Sequence, residues 1–123
     1  MRRYTLSFAP LFLILVGCGG NSLPSETEPT QGRMLLTTTL DAWVKGGKAE
    51  DLKSASPAII AFDPDWAADY KLVKYDLAVE NGRAGIDLLV KVTLTLQKDG
   101  KTSDKTVNFS IATGAQNVVL RQT

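Results

Sequence analysis

Across the second half of the chain, apolar and polar positions alternate with a period of two. From Ile86 to Gln97, Ile86, Leu88, Val90, Val92, Leu94 and Leu96 fall on one side, and Asp87, Lys91, Thr93, Thr95 and Gln97 on the other, with only Leu89 out of pattern. That is the signature of a strand with one face in a core and one in water. Tyr70 to Glu80 repeats it with Val73, Tyr75, Leu77 and Val79 directed inward, and Thr106 to Thr113 does so with Val107, Phe109 and Ile111. Asn117 to Gln122 is the last such run. Turn chemistry separates the runs: Asn81-Gly82, then Lys98-Asp99-Gly100-Lys101, then Gly114, residues that tolerate the backbone angles of tight connections. Consecutive strands with short connections predict an antiparallel meander, greasy on one face and wet on the other.

The first half carries a different period. Leu36, Leu40, Trp43 and Val44 lie at i, i+4, i+7 and i+8 and form one apolar helical stripe, with Thr37, Thr38, Asp41 and Lys45 turned elsewhere. Ser25-Glu26-Thr27-Glu28 reads as a capping box at the start of this helix, Pro29 suits its first turn, and Gly46-Gly47 ends it. A shorter helix is expected over Lys48 to Ala55, with Ala49 and Leu52 inward, until Pro57 stops it. Ala58 to Asp69 bridges to the strands. Helices with one apolar stripe supply the cover that the greasy sheet face needs. The expected fold is therefore α+β, with N-terminal helices packed on a curved four-stranded antiparallel meander.

The extreme N-terminus has a layout of its own. Arg2 and Arg3 precede an apolar run from Leu6 to Val16, and small residues follow, which is the three-part plan of a secretory signal. As a helix this run would cover roughly 16 Å, against about 30 Å of bilayer hydrocarbon, so it is too short to span. Leu15-Val16-Gly17-Cys18 resembles the lipobox of bacterial lipoproteins at every position. The resemblance implies that Cys18 receives a diacylglycerol thioether, that residues 1–17 are removed, and that the new amino group can be acylated in turn, for example with palmitate. Two or three acyl chains hold a small domain durably on a bilayer, where one would not. Gly19 after the cysteine points to the outer membrane of the cell envelope, facing the periplasm, rather than to the inner one. Residues 18–27, rich in Gly, Ser, Pro and Asn, read as the lipidated cysteine and its flexible tether, and 28–123 as a single domain.

Charge and composition narrow the partners. Loss of Arg2 and Arg3 leaves 12 of the 14 basic residues against 13 acidic ones. The lysines are scattered among carboxylates, so no basic face for nucleic acid emerges. Cys18 is the single cysteine, and a lipidated thiol leaves none for a disulfide. The chain has no histidine. That removes the commonest general base, Ser-His-Asp and Cys-His arrangements, and His-containing zinc sites. Asp63, Asp65 and Asp69 lie close together in sequence, but their spacing lacks the central glycine and distal glutamate of a calcium loop and reads as a polar turn. No metal and no cofactor is expected.

The order of elements, with the segment "AWVKGGKAEDL" closing the helix, resembles the cone-shaped superfamily of nuclear transport factor 2 and ketosteroid isomerase, and equally a cystatin-like domain. Some isomerases of the first group hold a carboxylate base and a tyrosine or acid oxyanion donor inside the cone. Here Tyr75 is the only hydroxyl-bearing aromatic of inward parity, while Asp76, Glu80 and Asp87 have the opposite parity and face solvent. A base must reach its substrate within hydrogen-bonding distance; only Asp63, Asp65 or Asp69 could enter the cone. Trp43 fits the core stripe, and Trp66, Tyr70 and Tyr75 are the candidate contacts for a ligand or partner. The expected function is that of a non-catalytic interaction module anchored through Cys18. An envelope protein or a second copy of the chain is its expected partner. The alternatives are a carrier of a small apolar ligand and, behind it, an isomerase-like enzyme.

Overall fold

A computed structural model describes residues 25–122. Cys18, the lipobox and most of the tether lie outside the described residues. The expected α+β class holds, and the sheet has one strand more than the meander. Its five strands are β1 (Ile60–Phe62), β2 (Lys71–Ala84), β3 (Asp87–Lys98), β4 (Lys101–Ala112) and β5 (Val118–Arg121), in the spatial order β1-β5-β4-β3-β2. Strands β2 to β5 form the predicted antiparallel meander, and β1 joins parallel to β5, so the sheet is mixed. No helix among the described residues is long and apolar enough to cross a membrane.

Helix α1 spans Pro29–Val44. Its cap is Glu28 alone, whose carboxylate accepts from the backbone N–H of Gln31 at 2.8 Å and of Thr30 at 3.2 Å. Those bonds hold its pKa below the ordinary value. The expected capping box does not form, because the helix starts three residues later and Glu28 is its N-cap rather than its third residue; Thr27 is used elsewhere. It is buried, its N–H donates to Ile86 C=O at 2.9 Å, and its hydroxyl donates to Ile111 C=O at 3.1 Å. The helix ends as the paired glycines require: Gly46 N–H donates to Trp43 C=O, Gly47 N–H to Ala42 C=O, and Gly46 adopts φ 87°. This is a Schellman closure, favoured by glycine in the left-handed region. The second helix, Ala49–Ser54, is a 3-10 turn that buries Leu52.

The buried face of α1 comprises Gly32, Leu35, Leu36, Thr39, Leu40 and Trp43. It packs on Leu88, Val90, Val92, Leu94 and Leu96 of β3, with Phe109, Ile111, Val119, Leu72 and Ile59 completing one core. At Gly32 the helix approaches so closely that a Cβ would lie 2.6 Å from Leu88 Cδ2. The predicted parity of β3 is observed throughout, except that Ile86 lies in the turn before it. The β3-β4 hairpin turns at Asp99 and Gly100 with φ 53° and 80°, the positive pair of the tight connection that Asp-Gly favours.

Strand β2 departs from expectation. Opposite the step Leu96 to Thr95, β2 advances from Leu72 to Lys74, so Val73 is an extra residue. A bulge of this kind reverses parity. Leu72, not Val73, is therefore buried, while Tyr75 and Leu77 keep the inward direction. A second irregularity between Leu77 and Asn81 throws Val79 outward, 90% exposed. Asn81-Gly82, expected as a turn, lies within β2, and the chain reverses instead at Gly85-Ile86, where Gly85 takes φ 65°. The polar face is also drier than its pattern implied. Thr95 is only 9% exposed, its hydroxyl donating to Asp104 at 2.8 Å.

Candidate functional site

The segment Ala58 to Asp69, expected only to bridge the helices and strands, builds the most distinctive region of the molecule. Ile59-Ile60-Ala61-Phe62 is a short apolar run whose last three residues form β1. Asp63 then caps a single turn, α2 (Pro64–Ala67), its Oδ1 accepting from Asp65 N–H at 2.7 Å and Trp66 N–H at 3.1 Å. The turn lays the Trp66 ring on that of Trp43, centroids 5.2 Å apart and planes within 8°. Both indole N–H groups are spent on the backbone. Trp43 donates to Tyr70 C=O at 2.9 Å and Trp66 to Gly47 C=O at 3.1 Å. The stack is thus locked to the helix end and to the start of β2.

The three aspartates divide. Asp63 is buried beside Arg121, which donates to its Oδ2 at 3.3 Å and to Asp65 Oδ2 at 2.9 Å, while Lys105 Nζ lies 2.9 Å from the same Asp65 oxygen. Burial raises the pKa of Asp63 above the usual carboxylate value against the pull of its backbone hydrogen bonds and Arg121. Burial pushes Asp65 the same way, but the bonds from Lys105 and Arg121 outweigh it and hold Asp65 low. Lys105 and Arg121 share the inward parity of Phe109 and Val119, so these ion pairs close one end of the inner sheet face. Asp69, at φ 69°, stays on the surface. No group of three metal-ligating side chains forms among the described residues.

Of the candidate contacts, the structure brings Trp66 and Tyr70 together and leaves Tyr75 apart. The Tyr70 ring is half-buried, with Lys98 Nζ 4.9 Å from its centroid. Tyr75 donates its hydroxyl to Asp41 Oδ1 at 2.6 Å, and it clips β2 to α1. Burial first, and then the Asp41 carboxylate, push its pKa up to about 12. None of the three aspartates contacts Tyr75, so the tyrosine-acid pair that a proton-transfer site would need is not assembled among these groups.

Beside the tryptophan stack lies an open groove of about 740 Å³. Its floor is Trp43, Trp66 and Tyr70, and its rim includes Phe62, Lys48 and Lys71. Phe62 is 53% exposed. The sequence signal for Phe62 and Ala61 was the four-residue apolar run before Asp63-Pro64, which is short for a strand and lacks alternation. Lys48 and Lys71 carried no signal, being lysines among many. No protein family, no curated protein and no solved structure matches the chain.

Proposed function

We propose that this chain is a lipoprotein of the bacterial cell envelope, held on the outer membrane through acylated Cys18, whose domain binds another envelope protein without chemistry of its own. One observation carries the reading: the Asp63 carboxylate and the two indole N–H groups at the tryptophan stack are consumed by the fold, and what stays open beside them is an aromatic-floored groove. The Asp63 carboxylate caps α2 and meets Arg121, and both indole N–H groups are occupied. An aromatic-floored groove of this kind favours recognition of a partner's surface. The carrier reading has less support, because the space between α1 and the sheet is filled by Leu36, Leu40, Leu72, Val90, Val92, Leu94 and Ile111, all essentially inaccessible. The helix lying across an antiparallel meander supports a cystatin-like or nuclear transport factor 2-like fold.

The test has two arms in intact cells. Wild-type chain takes up labelled palmitate and Cys18→Ala takes up none and keeps its signal. A photo-crosslinking amino acid in place of Phe62 gives a discrete adduct with one envelope protein, lost in Cys18→Ala cells. Absence of label would remove the anchor, and absence of any adduct would remove the binding role.

A further inference from the structure

The sheet has two outer edges, and they are finished differently. On β2 the irregularities at Val73 and between Leu77 and Asn81 interrupt the edge, the common defence against unwanted pairing. On β1 the edge is short and regular. In a parallel ladder one residue turns both its N–H and its C=O to the same neighbour, and the next turns both away. Ile60 N–H donates to Asn117 C=O at 2.9 Å, so Ile60 and Phe62 face β5 while Ile59, Ala61 and Asp63 face outward. Two of the outward groups are used within the fold: Ile59 N–H by Leu52 C=O and Asp63 C=O by Ala67 N–H, each at 2.9 Å. Among the described residues, Ala61 N–H and C=O have no hydrogen-bond partner, and Ala61 forms part of the groove wall.

A half-buried backbone donor and acceptor left side by side on a strand edge is what an extended peptide satisfies when it adds as a further strand. The flanking side chains suit such a guest. Trp66 offers apolar surface for one set of its alternate residues, while Phe62, paired with Leu120, stands on the other face of the sheet edge. Lys48, Lys53 and Lys71 line the same groove, and none has a carboxylate within ion-pair distance among the described residues. Glu50 and Asp69 oppose them, and Asp63 is already neutralised by Arg121. The surplus is cationic. We propose that the groove takes an extended acidic peptide segment of its partner, hydrogen-bonded to both backbone groups of Ala61 and resting an aromatic or aliphatic residue on Trp66. This rests on the reading of the groove as a binding surface and names the partner's chemistry.

The probe is an octapeptide of alternating glutamate and phenylalanine, titrated against the isotope-labelled full chain in detergent and followed by amide resonances. The Ala61 amide is expected to shift and saturate. The same peptide N-methylated at every second residue should bind about tenfold or more weakly, as should a peptide with lysine for glutamate. Ala61→Pro removes a donor the fold does not use and should lose the same factor with its melting curve unchanged. If that variant fails to fold, the N-methylated peptide reads the same bonds on the unaltered protein. Equal binding of the N-methylated peptide would overturn strand addition, and equal binding of the lysine peptide would overturn the acidic preference. Concentration-dependent pairing of the chain through Ala61, seen by sedimentation, would mean a second copy is the occupant and would overturn the proposal. No shift with any peptide, while Phe62 adducts still form in cells, would sink this inference and leave the binding role standing.

Discussion

The inner face of the sheet is covered in two ways. Along β3 the cover is aliphatic: Leu35, Leu36 and Leu40 of α1 meet Leu88, Val90, Val92 and Leu94, with every side chain almost fully buried. Where β4 and β5 carry Lys105 and Arg121 to the same face, the cover is the turn after β1, held by two aspartates and a stacked indole. The first cover tolerates any residue of suitable size and shape, because dispersion and water exclusion have no direction. The second depends on individual atoms, since each buried charge needs its own counter-charge and each polar group its own partner. The molecule thus has a generic half and a particular half, and the groove opens on the particular one.

The contrast can be broken most severely from the aliphatic side. Leu40→Asp puts an unpaired carboxylate at a position with no exposure, expected to cost about 5 kcal/mol, most of the stability of a domain this size. Its cooperative thermal transition should vanish, and hydrogen exchange should rise everywhere. Arg121→Ala leaves Asp63 buried without its guanidinium, both side chains being under a tenth exposed, at an expected cost of about 3 kcal/mol. Here exchange should rise first at Asp65 and Trp66 while β3 amides stay protected. Uniform exchange in both variants would erase the distinction between the two covers. Thr95→Asp, on the opposite face, sets a second carboxylate against Asp104, which now accepts from Thr95 at 2.8 Å, and should cost about 1 kcal/mol by denaturant titration.

The smallest effect is one of sign. Asp65 is held below its ordinary value of 3.8, so it contributes stability that is full above that value and is lost as pH falls through its folded pKa. Asp63 is raised, so its contribution is greatest in acid, below its ordinary value of 3.8, and is lost as pH rises through its folded pKa. The deficit of Asp65→Asn relative to wild type should therefore shrink on acidification, and that of Asp63→Asn should grow. Parallel curves for the two variants would contradict the assignment of partners.

The same division governs what could be read in the chain. The stripe Leu36, Leu40 and Trp43 and the alternation of β3 were legible because aliphatic burial imposes a period. The inward direction of Leu72 was not, because the single extra residue Val73 reverses parity and leaves the composition of the strand unchanged. The start of β4 was missed for a related reason. Its inward residues there are Ser103, which is exposed, and Lys105, which pairs with Asp65 of the polar cover. Asp63, Asp65 and Asp69 were noticed as a cluster, yet nothing local indicates that Arg121 and Lys105, far along the chain, would pair with two of them. Of the aromatic candidates, Trp66 and Tyr70 meet at the groove, whereas Tyr75 was drawn in by a parity shared with residues facing α1 and in fact fastens that helix.

Helix α1 also sets a height. The chain enters the domain at the helix start, where Thr27 is pinned to Ile86 and Ile111, and the groove begins at the opposite end, at Trp43, Gly46 and Gly47. A helix of 16 residues at 1.5 Å per residue separates the two ends by about 24 Å. On the proposed anchoring through Cys18, α1 works as a mast. The tether would be fastened at its foot, and the groove lies at its other end, one helix length from the point of attachment.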